Sequence, residues 1–208
     1  MKLRVLIACE FSGRVRDAFT ALGHSAVSCD LEPSEAPGLH IRGDALEIAY
    51  RGTWDLIAAF PPCTYLTKSN AWRWDAIAEE RARALEFVRE LLDAPAPAVA
   101  LENPVGAIST AIRPADQYVE PWWFGDPWQK KTGLWLRGLP KLVPAVERRP
   151  EGVLPWCQAG YGPRRADGTR RPGGAVRRVA DRNRTFPGIA EAMALQWSAY
   201  LTQLHVVG

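Results

Sequence analysis

Residues 2–30, KLRVLIACEFSGRVRDAFTALGHSAVSCD, read as strand, turn, helix and strand. Lys2 to Ala8 is a short β-branched run that ends at Cys9-Glu10-Phe11-Ser12-Gly13. The spacing of Val15, Ala18, Phe19 and Leu22 predicts a helix from Arg14 to Leu22 with one apolar face, and Gly23 stands where a C-cap glycine belongs. SAVSCDLEP then gives a second strand, stopped by Pro33. Working outward, a third short element surrounds Ile41 to Ala45, and DLIAAF (Asp55 to Phe60) is a fourth strand broken by Pro61-Pro62. Ala76 to Leu92 has helical periodicity, and Ala98 to Leu101 is a fifth strand ending at Glu102-Asn103-Pro104. Strands separated by helical patterns imply βαβ units, so this half of the chain is expected to be a doubly wound, mostly parallel α/β sheet.

Beyond Pro104 the texture changes. Pro121 to Pro144 carries Trp122, Trp123, Trp128 and Trp135 beside Lys130-Lys131, and Gly160 to Gly174 is rich in Gly, Pro and Arg, as a long loop would be. Ile189, Met193, Trp197 and Leu201 are spaced for the buried face of a last helix. The expected organisation is an α/β domain over 1–120 and 180–208, interrupted at 121–179 by a small irregular Trp/Arg-rich extension that meets nucleic acid.

The chain has 208 residues, of which 47% are hydrophobic and 24% charged. That is globular composition, and a chain of this size buries roughly 70% of its unfolded surface without staples. No apolar run reaches the roughly 20 residues of a membrane span, and MKLRVLIAC lacks the small-residue cleavage site of a signal peptide. Four cysteines, Cys9, Cys29, Cys63 and Cys157, are too few and too scattered for a disulfide framework, and with three histidines they form no recognisable zinc spacing. A reducing, cytoplasmic setting without metal or membrane partner is expected. The net charge is only +3, yet eight arginines fall between Arg164 and Arg184 against Asp167 and Asp181, an excess suited to a polyanion or to a solvated loop.

Ligands of doubly wound sheets sit outside the carboxyl ends of the strands. That rule selects Glu10 to Gly13, Asp30, Pro61 to Thr64, and Glu102 to Pro104. A glycine turn after the first strand lets a ligand approach the backbone, and a carboxylate ending the second strand can hold ribose hydroxyls; both features are common in unrelated proteins. Phe60-Pro61-Pro62-Cys63 is more specific. Two prolines stiffen a turn that presents a thiol, whose thiolate is a strong nucleophile. Glu102 and Asn103 bring a carboxyl group beside it, where a general acid or hydrogen-bond partner would stand.

The order Phe11-Ser12-Gly13, Asp30, Gly43-Asp44, Phe60-Pro61-Pro62-Cys63 and Glu102-Asn103-Pro104 resembles the DNA cytosine-5 methyltransferase family. GDPWQKKTGLWLRGLPKL (Gly125 to Leu142) and RTFPGIAEAMALQW (Arg184 to Trp197) look like its short phage-type members. The resemblance implies a Rossmann-like methyltransferase fold, S-adenosylmethionine as cofactor and DNA as substrate, in the host cytoplasm if the chain is phage-encoded. It implies that Phe11, Ser12 and Gly13 contact the cofactor, that Asp30 holds its ribose, that Asp44 meets the adenine amino group, and that Pro61 with Pro62 shapes the loop of Cys63. Cys63 would attack C6 of a flipped-out cytosine, and Glu102 would bind N3 and the exocyclic amine so that C5 accepts the methyl group. The family's arginine-rich motif supporting the glutamate has its nearest counterpart in Arg182-Asn183-Arg184. The family's second glycine is replaced by Val15, and its final Gly-Asn-Ser run is absent.

Thr64 to Trp74, TYLTKSNAWRW, is the candidate segment for closing over the base, with Lys68 and Asn70 meeting the nucleic acid. Arg164, Arg165, Arg170 and Arg171 are the candidate phosphate ligands, on double-stranded DNA first and single-stranded nucleic acid second. Two readings stand beside methyl transfer. One is hydroxymethyl transfer from a folate by the same Cys63 chemistry; the other is a non-catalytic DNA-binding module. A generic nucleotide-binding protein is disfavoured, because neither GxGxxG nor a P-loop is present.

Overall fold

Alternation along the first strand explains how the layers form. In the computed structural model, which describes residues 1–156 and 184–207, β1 is Arg4–Ala8. Val5 and Ile7 face one layer of the core while Leu6 and Ala8 face the other, so the strand is apolar on both sides. The same parity holds for β4 (Leu56–Ala59) and for β5 (Ala98–Pro104).

The first layer is completed by α1 (Arg14–Ala21), through Val15 and Phe19, and by α5 (Pro187–Val207), through Ile189, Met193 and Trp197. The second holds α2 (Ala45–Arg51), α3 (Ala78–Asp93), whose Leu85, Val88 and Leu91 are buried, and the short α4 (Ile108–Ala111). With β2 (Ser25–Asp30), β3 (His40–Arg42), β6 (Gln117–Val119) and β8 (Thr132–Arg137), the seven-stranded sheet runs β3-β2-β1-β4-β5-β8-β6. The pairs from β3 to β5 are parallel, and β8 is antiparallel to both β5 and β6. The order reverses at β1 and β4, which is the switch point where a doubly wound sheet opens a crevice. The mostly parallel α/β architecture expected from the sequence is present.

One boundary needs correction. Residues 132–137, expected within the 121–179 extension, are a strand of the main sheet, hydrogen-bonded on both sides. TGLWLR is apolar on both faces because both are covered, and Trp135, in the extension expected to meet nucleic acid, is fully buried. Its indole Nε1 donates to the Arg113 carbonyl at 2.8 Å. Trp128, Trp156 and Phe186 stack edge to face with centroids 5.0 and 4.5 Å apart. They join the small pair β7 (Trp128–Gln129) and β9 (Leu154–Pro155) to the entry of α5. Most of these tryptophans therefore pack rather than read.

Arg16 is buried in α1, where polar residues normally face water. Its guanidinium donates to the hydroxyls of Ser28 and Ser34 and to the carbonyls of Ala36 and Pro37. It thereby fastens the loop after β2. Gly13, at φ +78°, makes room for it: a Cβ there would lie 2.5 Å from Arg16 Nη2 and 3.0 Å from Ala36 Cβ. Among the described residues no helix is long and apolar enough to cross a membrane, and no group of three His, Cys, Asp or Glu side chains could hold a metal ion.

Candidate functional site

A cavity of about 590 Å³ opens at the carboxyl ends of β1, β2, β4 and β5. Phe11, Asp30, Asp44, Pro61, Cys63 and Glu102 all line it. Six positions scattered over ninety residues of sequence thus converge because each lies in the last residues of a strand of the parallel array or in the loop that follows one.

Cys63 sits four residues after β4, on a loop held at several points. The Phe60 amide donates to Ala8 at 2.9 Å, and the Cys63 carbonyl accepts from Leu66 (3.0 Å) and Thr67 (2.9 Å). Asn103 Nδ2, buried, donates to the Pro61 carbonyl at 2.8 Å, tying the cysteine loop to the end of β5. The segment after Cys63 is also sewn to the segment after Glu102. Lys68 donates its amide to Val105 at 2.9 Å, Ala107 donates to Leu66 at 2.7 Å, and Thr67 bridges Gly106. Gly106 permits this crossing, since a Cβ would land on the Leu66 carbonyl oxygen.

Glu102 is held from the neighbouring strand. The Thr132 hydroxyl, on β8, donates to Glu102 Oε1. Behind the carboxylate lies a chamber of about 20 Å³ lined by Lys130, Thr132, Arg184 and Phe186 among others. Lys130 borders both this chamber and the main cavity. Arg184, expected to support Glu102, forms a forked pair with Glu35 through Nε (2.6 Å) and Nη2 (2.5 Å). Arg182, Arg164, Arg165, Arg170, Arg171 and Cys157 lie outside the described residues.

The three described cysteines differ in environment. Burial, then the charge of Asp30, pushes the Cys9 thiol far above its ordinary range, and Cys9 holds a left-handed φ of +58°. Burial, followed by Asp30 and Asp44, pushes the Cys29 thiol up to about 11. Both are held as thiols at neutral pH, and a thiol is a poor nucleophile. Cys63 is half-buried on the cavity wall.

The cofactor-side expectations divide. Phe11, Asp30 and Asp44 reach the cavity. Asp30 Oδ1 also accepts the Glu32 amide at 3.0 Å, and Asp44 Oδ1 caps α2 by accepting the Leu46 amide at 2.8 Å. Ser12 and Gly13 do not line it. The Ser12 hydroxyl donates to Glu10 Oε1, and Gly13 faces Arg16 instead. Burial pushes the Glu10 carboxyl up, while Ser12 and the Arg14 amide, donating at 3.1 Å, oppose that shift. At Ser12 and Gly13 the turn supports the start of α1, while Phe11 of the same turn lines the cavity. Lys68 is exposed, and Asn70 Nδ2 donates to the Thr64 carbonyl at 2.7 Å.

Sequence reasoning missed the wall supplied by α3, where Glu80, Arg83 and Phe87 line the cavity, and it gave no role to Lys130 or Thr132. Helical periodicity marked Phe87 as apolar; nothing in the sequence aimed it at the strand ends. With Leu31 and Phe60 it makes an apolar flank, around which stand the carboxylates of Asp30, Glu32, Asp44, Glu80 and Glu102 and the cations Arg83 and Lys130. Carboxylates outnumber cations five to two on this lining.

No protein-family model matches the chain, and no curated protein sequence matches it. Among solved structures it is similar to a protein assigned as a DNA modification methyltransferase encoded within an E. coli prophage. That match has 14% identity and a TM-score of 0.45, over 65% of this chain and 46% of that one. It is also similar to the S. pombe Dnmt2 methyltransferase, at 16% identity and a TM-score of 0.44, over 68% of this chain and 51% of that one. The chain spans about half the length of each.

Proposed function

We propose that the protein transfers a methyl group from S-adenosylmethionine to C5 of cytosine in DNA. The observation that carries this reading is that Cys63 and Glu102 line one cavity, on a loop and a strand end joined by the bond from Asn103 to Pro61. C5 of cytosine is a poor nucleophile. Addition of the Cys63 thiolate to C6 forms an S–C bond and pushes an electron pair towards C5 while N3 takes a proton. Glu102 is the group able to hold that proton and to accept from the exocyclic amine. When bound, S-adenosylmethionine supplies an electrophilic methyl group to that activated carbon. A base, water among the candidates, then takes the C5 proton, N3 returns its proton to Glu102, and the C5–C6 double bond re-forms as the S–C bond breaks and Cys63 leaves as a thiolate. The target base must leave the stack to reach the cavity, at a cost of a few kcal/mol.

The lining suits this cofactor. Asp30 and Asp44 stand where hydroxyl and amine donors of a nucleoside would be accepted, with Phe11, Leu31, Phe60 and Phe87 as apolar surface for a purine. The excess of carboxylates favours a ligand bearing a sulfonium and an ammonium over a folate with its anionic tail. This supports methyl over hydroxymethyl transfer.

The test is mass spectrometry of nucleosides from DNA incubated with the protein and isotope-labelled S-adenosylmethionine. Labelled 5-methylcytosine is expected from the wild type and none from Cys63→Ser, whose hydroxyl is a far weaker nucleophile. DNA containing 5-fluorocytosine should form a covalent adduct with Cys63, because the fluorine does not leave as the proton does. Transfer by the serine variant at the wild-type rate would overturn the role of Cys63.

A further inference from the structure

The segment after Cys63 carries a residue to which the reaction above gives no part. Trp72 lies on the 3₁₀ turn Lys68–Arg73 and is 83% exposed, although tryptophan is the largest and among the most buried of apolar side chains on average. The Arg73 guanidinium stands over the Trp72 ring, 5.8 Å from its centroid. One face of the indole is thus against a cation, and the ring as a whole is left to solvent.

Its surroundings narrow the occupant. The turn presents the exposed side chains of Lys68 and Arg73, while Tyr65, also exposed, lines the catalytic cavity a few residues earlier. The stem is anchored: Thr67 bridges Gly106, Lys68 donates to Val105, and Asn70 donates to Thr64. An anchored turn therefore carries an open aromatic ring with Arg73 over it and Lys68 on the same turn, seven residues beyond Tyr65 of the cavity wall. An apolar protein partner would gain little from a single ring flanked by charges. A polyanion that carries flat π-faces matches both features at once.

We infer that Trp72 stacks on a nucleobase of bound DNA beside the catalytic cavity, with Lys68 and Arg73 facing the neighbouring phosphates. This rests on the proposal that the substrate is DNA and gives the protein a base contact outside the reacting site. Stacking on an aromatic ring tolerates any base, so this contact adds affinity without adding sequence preference.

The experiment separates bases from phosphates. Binding of the full chain is measured by fluorescence anisotropy to a labelled oligocytidine and to an abasic oligonucleotide of equal length, which keeps the phosphates and lacks the bases. The wild type should prefer the oligocytidine, and Trp72→Ala should lower that preference about 5- to 150-fold, the range that stacking of one base supplies. Trp72→Phe should retain most of it, and affinity for the abasic strand should not change in either variant. An unaltered preference in Trp72→Ala overturns the inference. So does equal weakening on both strands, which would make the site a phosphate contact only. The readout needs no turnover: base-dependent binding through Trp72 without methyl transfer would refute the proposed reaction while leaving this contact standing.

Discussion

Asn103 Nδ2 donates to the Pro61 carbonyl oxygen at 2.8 Å, joining positions 42 residues apart. The bond spans the gap between the loop that carries Cys63 and the strand end that carries Glu102. Proline leaves the Pro61 carbonyl as the backbone's one polar group at that residue, and Asn103 satisfies it in a dry setting. The distance between Cys63 and Glu102 is thereby set by a short covalent path on each side and one buried hydrogen bond.

Asn103 is accordingly a positioning residue, and Asn103→Ala should lower kcat by about 10²-fold, the loss that a displacement of about 1 Å produces in an aligned site. KM for the cofactor should change little. The same variant leaves a buried carbonyl unpaired, so thermal unfolding should show a loss of about 1–3 kcal/mol. An equal fall in cofactor affinity would mean that the whole cavity, not the loop alone, had shifted.

Thr132 holds Glu102 from β8, so the two residues should fail together but unequally. Glu102→Gln keeps the shape and cannot supply a proton to N3, so kcat should fall by about 10²–10⁴-fold, the usual weight of acid–base groups. Thr132→Val keeps the volume and removes only the hydroxyl; about tenfold is expected, corresponding to roughly 1.5 kcal/mol for one hydrogen bond to a charged group. Thr132→Ser should restore most of that activity. In the Glu102→Gln background Thr132→Val should do little more, because its effect passes through the carboxylate. Additive losses would show that Thr132 acts on something else.

The acidic lining predicts a charge preference. S-adenosylmethionine carries a sulfonium that S-adenosylhomocysteine lacks, so neutralising a nearby carboxylate should weaken the first more than the second. Asp30→Asn and Glu80→Gln should each reduce the preference by about 1 kcal/mol, the Coulomb term for charges several ångströms apart at intermediate dielectric. Calorimetry with both ligands measures the difference directly, and it should shrink as salt rises. Parallel weakening of the two ligands would mean that these carboxylates act by hydrogen bonding alone.

Much of this site was legible because of how parallel sheets work. The runs around Val5, Val27, Ile57 and Val99 name four strands, and residues that end or follow parallel strands gather at one edge, which brings Asp30, Cys63 and Glu102 to one cavity. What failed was information that only packing holds. TGLWLR belongs by composition to the tryptophan-rich stretch, yet it pairs along its edges with β5 and β6 and buries both faces. Arg16 looked like the polar side of a helix until the loop at Ser34 to Pro37 wrapped its guanidinium. Ser12 and Gly13 carried the right letters for a ligand turn, but Glu10 and Arg16 occupy their hydrogen-bonding and steric space.

Alkylation should follow the electrostatics of the cysteines. At pH 8 iodoacetamide should modify Cys63 before Cys9 or Cys29, followed peptide by peptide by mass spectrometry. Cys29, with a thiol near 11, presents about one thiolate in 10³ at that pH, and its reaction should quicken about tenfold per pH unit until the pH approaches 11. Cys9, shifted further in the same direction, should lag behind it. Bound S-adenosylmethionine should slow reaction at Cys63, because both stand on one cavity. Faster labelling of Cys29 than of Cys63 in the folded protein would contradict this order.

The last prediction concerns Arg184. Its fork onto Glu35 joins the entry of α5 to the loop that Arg16 fastens, and Arg14 adds a second tie by donating to the Thr185 carbonyl at 2.8 Å. Arg184 also lines the chamber behind Glu102, so two roles compete: a clasp that holds the 184–186 segment in place, or a cation that acts on Glu102 directly. A double-mutant cycle separates them. If Arg184 works as a clasp, Arg184→Ala and Glu35→Ala should lower kcat by the same modest factor, and the pair together should do no more than either alone. Stability should change by less than about 1 kcal/mol, since the pair is partly open to solvent. If Arg184 acts on Glu102, Arg184→Ala alone should lower kcat and flatten its pH profile, while Glu35→Ala should leave both nearly intact. The fork onto Glu35 is the reason to expect the clasp, because losing either partner removes the same two charge-assisted bonds.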